Sequence, residues 1–267
     1  MTVITVMVEH FKRLVRYRGL LWNLAVSELK SKHRQTALGM LWALLQPVSL
    51  MVVYAVVFSV FVNVPIRQGV PYALFAYVGL VTWLFFATSF STGTTSVVSQ
   101  MNLITKASFP REVIPLSKLI ASGFDFLIGW GCFLLLLAVY GMPFKPMWFL
   151  FPWILCVHVL FTAGLVLWGA ALYVLKRDVG SVMPLLLQIW MFLSPVIYPS
   201  SLIPEKYQSL YLINPMATII ESYRSAALGV PAPSVAAMWT ASVIAIVAFA
   251  SGYAYFKHVE VRFADIM

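Results

Sequence analysis

The chain has 267 residues, 61% of them hydrophobic and only 10% charged, with a net charge of +9. A soluble domain carries about 25% charged residues, so a water-bathed globule is excluded. One membrane domain is expected, because no polar stretch is long enough to fold apart. Nor does the positive charge mark a nucleic-acid binder: the lysines and arginines sit at the ends of apolar runs, where they set membrane topology.

In chain order, the first 35 residues are amphipathic and basic, unlike a signal sequence. Val3, Met7, Phe11, Leu14 and Val15 form a helical stripe with Lys12, Arg13 and Arg16 off it. Residues 1–38 are therefore expected to hold a helix lying in the cytoplasmic interface against anionic lipid. A bilayer core needs roughly 20 apolar residues per helix. The runs Gly39–Val62, Tyr72–Val98, Leu119–Tyr140, Met147–Leu175, Gly180–Tyr198 and Val235–Phe256 meet that demand, the fifth interrupted by Pro184 and Pro195.

The expected fold is all-α, a six-span domain over residues 39–267 with the interfacial helix before it. Of 18 lysines and arginines, fourteen fall on segments assigned inside and four (Arg67, Lys145, Lys206 and Arg224) on segments assigned outside. That bias places both termini in the cytoplasm.

Two connections are more than loops. The cytoplasmic one, about residues 99–118, holds Lys106, Phe109, Pro110, Arg111 and Glu112, and a short helix broken at Pro110 is expected. It reads either as a piece a partner protein grips or as a plain loop. The external one, about residues 199–234, is too apolar to be a simple loop. Asn214 and Pro215 read as a helix start and Gly229 as its stop. Met216, Ile219, Ile220, Tyr223 and Ala227 share one face, and Thr218, Glu221, Ser222 and Ser225 the other. Too short to cross, this helix is expected to lie at the outer interface or to re-enter as a gate.

Chemistry is sparse. No Gly-x-x-x-x-Gly-Lys-Ser/Thr phosphate loop occurs, and the four histidines show no metal-ligand spacing. Cys132 and Cys156 lie within apolar runs and make no disulfide framework. Asp125 is the acid well inside a span: a functional candidate by default, or else a packing partner or a residue nearer the surface. Glu221 and Arg224, three apart on a helix, are expected to pair structurally. Of the aromatics in the outer half, Trp83, Phe86, Trp190, Phe192 and Tyr198 read as core, as interface belt, or as flat faces for sugar rings in a conduit.

These segments also resemble a family. Ser27–Pro47, with Leu38-Gly39-Met40-Leu41-Trp42 and Gln46-Pro47, resembles the start of polysaccharide-export ABC transporter permeases. Phe109-Pro110-Arg111-Glu112 resembles their coupling segment, Leu193-Ser194-Pro195 through Pro199 their fifth-helix signature, and Asn214-Pro215-Met216 with Glu221-Ser222-Tyr223-Arg224 their external helix. The resemblance implies a homodimer in the bacterial cytoplasmic membrane, joined to two ATP-binding cassette subunits that alone bind ATP and magnesium. It implies a transport subunit without enzyme activity, with a polysaccharide on undecaprenyl diphosphate as substrate. Lys106 to Glu112 would couple to the ATPase. Lys30, Lys32 and Arg34 would meet the lipid diphosphate, or more simply anchor to membrane lipid. Asn214, Pro215, Glu221, Tyr223 and Arg224 would form the gate. The competing readings are a drug or small-lipid ABC permease, a membrane enzyme acting on lipid-linked sugars, and a secondary transporter.

Overall fold

A computed structural model describes residues 16–34, 39, 41–61, 69–106, 109–143, 146–204, 206–207, 211 and 213–263. The stripe from Val3 to Val15 lies outside them, as do the side chains of Arg34 and Lys106. Every regular element among the described residues is helical.

In chain order these are α1 (Arg18–Arg34), α2 (Leu41–Ala55, running on as a π-helical turn, Val56–Phe61), α3 (Tyr72–Ser99), the short α4 (Met101–Lys106) and α5 (Val113–Val139). A 3-10 turn (Pro146–Leu150) leads into α6 (Phe151–Leu175). Then come α7 (Asp178–Phe192), a 3-10 turn at Ser200–Leu202, α8 (Pro215–Leu228) and α9 (Val235–Glu260).

Among the described residues, five helices are long and apolar enough to cross a membrane: Leu41–Phe58, Tyr72–Ser99, Val113–Val139, Met147–Leu175 and Val235–Glu260. The chain is thus a multi-pass membrane protein. The run expected as the span Gly180–Tyr198 is different. Its helix α7 has 15 residues, which at 1.5 Å per residue reach about 22 Å, short of a hydrocarbon core of about 30 Å. The helix stops at Phe192 because Pro195 offers no N–H and clashes with the turn before it. From Leu193 to Pro199 the backbone is irregular.

α3 is the axis of the bundle, buried along most of its length and packed against α2, α5, α6 and α8. Several of its hydroxyls are satisfied within the helix: Thr82 Oγ1 donates to the Val78 carbonyl at 2.8 Å and Ser96 Oγ to that of Gly93 at 2.6 Å. In lipid, helices gain little from hiding apolar surface from one another, so close backbone approach carries association. α6 and α9 show it at Gly164, which faces the Ala248–Phe249 backbone, and at Gly252, which faces the Gly164 carbonyl.

α1 is strapped along α5. Glu28 bonds Lys118, and Lys32 reaches Asp125 at 2.5 Å. Glu28 and Lys32 lie one turn apart on α1, while Lys118 and Asp125 lie two turns apart on α5, so the pairs form two rungs. Trp22 packs on Phe124 beside them, ring centroids 5.6 Å apart. Of the readings open for Asp125, the pair with Lys32 gives it a place in helix packing.

Candidate functional site

The α3, α7, α8 and α9 termini meet at one end of the bundle, and the site there is built around α8. Asn214 starts this helix: its side-chain oxygen accepts from the Met216 N–H at 3.1 Å, with Pro215 at the first helical position. Gly229 ends it at φ +69°, the left-handed conformation that glycine adopts without strain.

Of α8's residues only Glu221 is not buried, so the expected division into an apolar and a polar face fails. Thr218, Ser222 and Ser225 are as enclosed as Ile219 and Ile220. The physical reason is that α3, α6, α9 and the Pro146–Leu150 turn surround the helix on all sides. Ser222 Oγ is satisfied by the Thr218 carbonyl at 2.7 Å.

Arg224 is the centre of the site. It is 1% exposed, and its guanidinium does not pair with Glu221 as the spacing suggested. Instead Nε donates to the Phe75 carbonyl at 3.0 Å, Nη1 to that of Pro195 at 2.5 Å and Nη2 to that of Val196 at 2.6 Å. The cation lies 3.6 Å from the centroid of the Phe75 ring. Burial pulls its pKa down to about 9, Glu221 acting in the opposite direction.

Pro195 and Val196, with the Tyr198 carbonyl that Nη1 also reaches at 3.5 Å, belong to the broken stretch after α7. Irregular backbone at membrane depth is tolerated only where protein meets its polar groups, and Arg224 meets them here. Gly79 makes room: a Cβ there would strike both the Val196 carbonyl and the Arg224 guanidinium. Tyr72 OH ties Ile197 O at 2.6 Å.

Asn214 pins the same stretch from the other side. It accepts from Trp190 Nε1 at 3.0 Å and donates from Nδ2 to the Leu193 carbonyl at 3.1 Å and to Ser194 Oγ at 2.9 Å. Farther out, Tyr211 OH donates to Tyr198 OH at 2.9 Å, and Tyr198 OH to the Phe192 carbonyl at 2.7 Å. Glu221 faces a cavity of about 340 Å³ bounded by Ser200, Tyr211 and Thr218 and by Ser234 and Ala237 of the α9 start. Burial raises its pKa, opposed by hydrogen bonding from Ser200 and by Arg224. Tyr223, buried, packs in an aromatic cluster with Trp130 at 5.4 Å, Phe151 at 5.1 Å and His158 at 5.8 Å.

The opposite end holds the Phe109 connection. Phe109 and Pro110 are half-buried at the bend between α4 and α5. Glu112 is fully buried: its carboxylate accepts from Lys257 Nζ at 2.6 Å and Tyr253 OH at 3.3 Å, both on α9. Arg111 donates to the Glu260 carbonyl at 2.5 Å and stands over the Phe263 ring at 5.8 Å. Lys257 also bonds Glu260 at 2.7 Å. The connection is thus fastened to the end of α9.

The remaining expected residues are dispersed. Lys30 and Lys32 lie on the exposed side of α1, and the Lys32–Asp125 pair walls a cavity of about 70 Å³ that Trp42, Gln46 and Thr88 also line. Trp83 and Phe86 are buried in the core, their ring centroids 5.2 Å apart, and Phe86 meets Trp190 at 5.1 Å. Phe192 is 55% exposed, and Trp190 and Tyr198 are half-buried. Lys257, Tyr253 and Gly79 were not singled out from the sequence. Lys257 looked like one more topology-setting cation at a span end, and only the fold pairs it with Glu112.

The helical body, with a broken, latched helix at one end and a braced connection at the other, is of the multi-pass membrane class, and its match to a transporter family makes it a membrane-transport subunit. The sequence profile of ABC-2 type transporters matches residues 19–228. This chain belongs to that family. It is 34% identical to the O-antigen export system permease protein RfbA of Myxococcus xanthus over 254 residues, covering 89% of this chain and 95% of the relative. It is 30% identical to a protein of the same name from Klebsiella pneumoniae over 257 residues, covering 93% and 96%.

Proposed function

We propose that this chain is the transmembrane subunit of an ATP-driven exporter that moves an undecaprenyl-diphosphate-linked polysaccharide of O-antigen type across the bacterial cytoplasmic membrane. The observation that carries the reading is full-length similarity to O-antigen export permeases, joined to a helix interrupted at membrane depth and held shut by one arginine.

The subunit works as a homodimer with two ATP-binding cassette subunits, which bind ATP and magnesium. Both termini and the Phe109 end face the cytoplasm, in line with the lysine and arginine bias, with α7 and the irregular stretch to Pro199 together making the sixth crossing. Phe109, Pro110 and Arg111, with Lys106, meet the ATPase, while Glu112 turns inward to hold the connection in place. Lys30, Lys32 and Arg34 attract the diphosphate at the inner leaflet. Asn214, Pro215, Glu221, Tyr223 and Arg224 form the external gate over a conduit bordered by Trp190, Phe192 and Tyr198, with Trp83 and Phe86 backing it.

The decisive experiment is reconstitution of this chain with its ATPase subunit in vesicles that contain a lipid-linked glycan. ATP-dependent appearance of glycan on the far leaflet is the expected result. Hydrolysis without translocation of any glycan-bearing lipid, but with export of a small lipid or drug, would overturn it.

A further inference from the structure

We infer that α9 is the rod that carries motion of the Phe109 connection to the external gate, with Lys257 as the residue that positions its driven end. This rests on the transport reading and names the part of the molecule that performs the transmission.

α9 has 26 residues, about 39 Å at helical rise, so one rigid element reaches both ends of the bundle. At one end its Lys257 and Tyr253 hold the buried Glu112, and its Glu260 carbonyl accepts from Arg111. A carboxylate so enclosed is held by its cation, because separating them would strand a charge away from water. A displacement of residues 109–112 must therefore move the end of α9 with it.

At its other end α9 packs on α8, the helix that carries Arg224. Ser234 and Ala237 share a cavity wall with Thr218 and Glu221. Between the ends, α9 touches chiefly α6, through backbone contact at Gly164 and Gly252 and through Trp168, which stacks on Tyr255 at 4.2 Å and donates to Ser251 Oγ at 3.1 Å. Trp239, Val243, Ile246 and Val247 are exposed. A helix gripped at both ends and keyed to a single long neighbour passes a displacement of an ångström or two from one end to the other as a rigid body, carrying the adjoining face of α6 with it. Position between two sites does not by itself show coupling, so the test must see the far end respond.

The experiment uses the complete complex with its ATPase subunit in nanodiscs, in a chain carrying Cys132→Ser, Cys156→Ser and Leu202→Cys. Leu202 is exposed in the external segment, and a membrane-impermeant maleimide reports its surroundings with and without ATP. With Lys257 intact, ATP changes the modification rate at least threefold. Lys257→Met keeps hydrolysis within twofold, abolishes the ATP-dependent change in labelling and lowers glycan export at least tenfold, while Lys257→Arg restores both.

An ATP response of the label in Lys257→Met equal to that of the unmodified residue overturns the inference. So does loss of ATPase association, which would place Lys257 in docking rather than transmission. If Lys257→Met does not reach the membrane, Tyr253→Phe, which deletes the second bond to Glu112, should halve the label response or more. An unchanged response then refutes the rod. The label reports without any glycan, so an intact complex that responds to ATP yet exports no polysaccharide would refute the substrate reading and leave this one standing.

Discussion

Replacing Arg224 with methionine keeps most of the side chain's length and removes the cation. Three carbonyls, those of Phe75, Pro195 and Val196, then lose their donor in an enclosed site. A buried polar group left without its partner costs about 1–3 kcal/mol, and the lost contact with the Phe75 ring adds up to about 2 kcal/mol. Against this, methionine no longer has to be stripped of hydration as a cation, a relief of several kcal/mol. The balance is a loss of about 2–4 kcal/mol in the closed arrangement, and Arg224→Lys loses less because it keeps a charged donor, though one ammonium cannot serve three diverging acceptors as the guanidinium does.

The local loss is read by backbone hydrogen exchange of the segment Leu193–Pro199 in nanodiscs, which reports the free energy of local opening. The expected protection falls about thirtyfold to about nine-hundredfold in Arg224→Met. Protection within threefold of the unmodified chain would refute the claim that the guanidinium holds the broken stretch closed.

Other expectations follow from the same geometry. Asn214→Ala removes a helix cap and three further bonds and should cost about 1–3 kcal/mol by thermal unfolding. Asn214→Asp should cost less, since it keeps both acceptor roles. Gly79→Ala should destabilise by at least about 1 kcal/mol, with an increased exchange rate at Val196, because its methyl group meets the latch itself. Glu221 is half-buried, and partial burial raises its pKa, so its carboxyl contributes stability fully present below its ordinary value of 4.5 and lost as pH rises through the raised one. Glu221→Gln should accordingly flatten the decline in melting temperature between acid and neutral pH; an unaltered pH profile would refute the assignment.

The long spans were legible because twenty-odd apolar residues between charges leave few alternatives. The ends of α8 were legible for a different reason: capping at Asn214 and Gly229 is decided by neighbours in sequence. What the sequence hid are pairings between remote segments. Glu28 and Lys32 fall one turn apart on an apparently interfacial helix, and nothing local says that Lys118 and Asp125 lie opposite. Arg224 was read as a partner for Glu221, three residues away, whereas its acceptors are 149, 29 and 28 residues distant. The enclosure of Thr218, Ser222 and Ser225 was hidden too, since short hydroxyls can satisfy themselves on their own helix and so tolerate burial without looking apolar.

The latch also bears on what can pass. The carbonyls of Pro195 and Val196 lie where no helix partner is available, so once Arg224 moves away only water or substrate hydroxyls can satisfy them. An apolar opening would leave those groups stranded and is disfavoured by the costs worked above. If this latch is the proposed gate, its opening and the entry of water are one event, and the path so formed would be lined with exposed acceptors rather than with hydrocarbon. Such a path suits a chain rich in hydroxyl groups, which can trade its hydration for the same carbonyls, and suits a drug or a bare lipid poorly. A buried arginine as the donor of the proposed gate thus favours a polysaccharide over the small apolar substrates that the fold alone would allow.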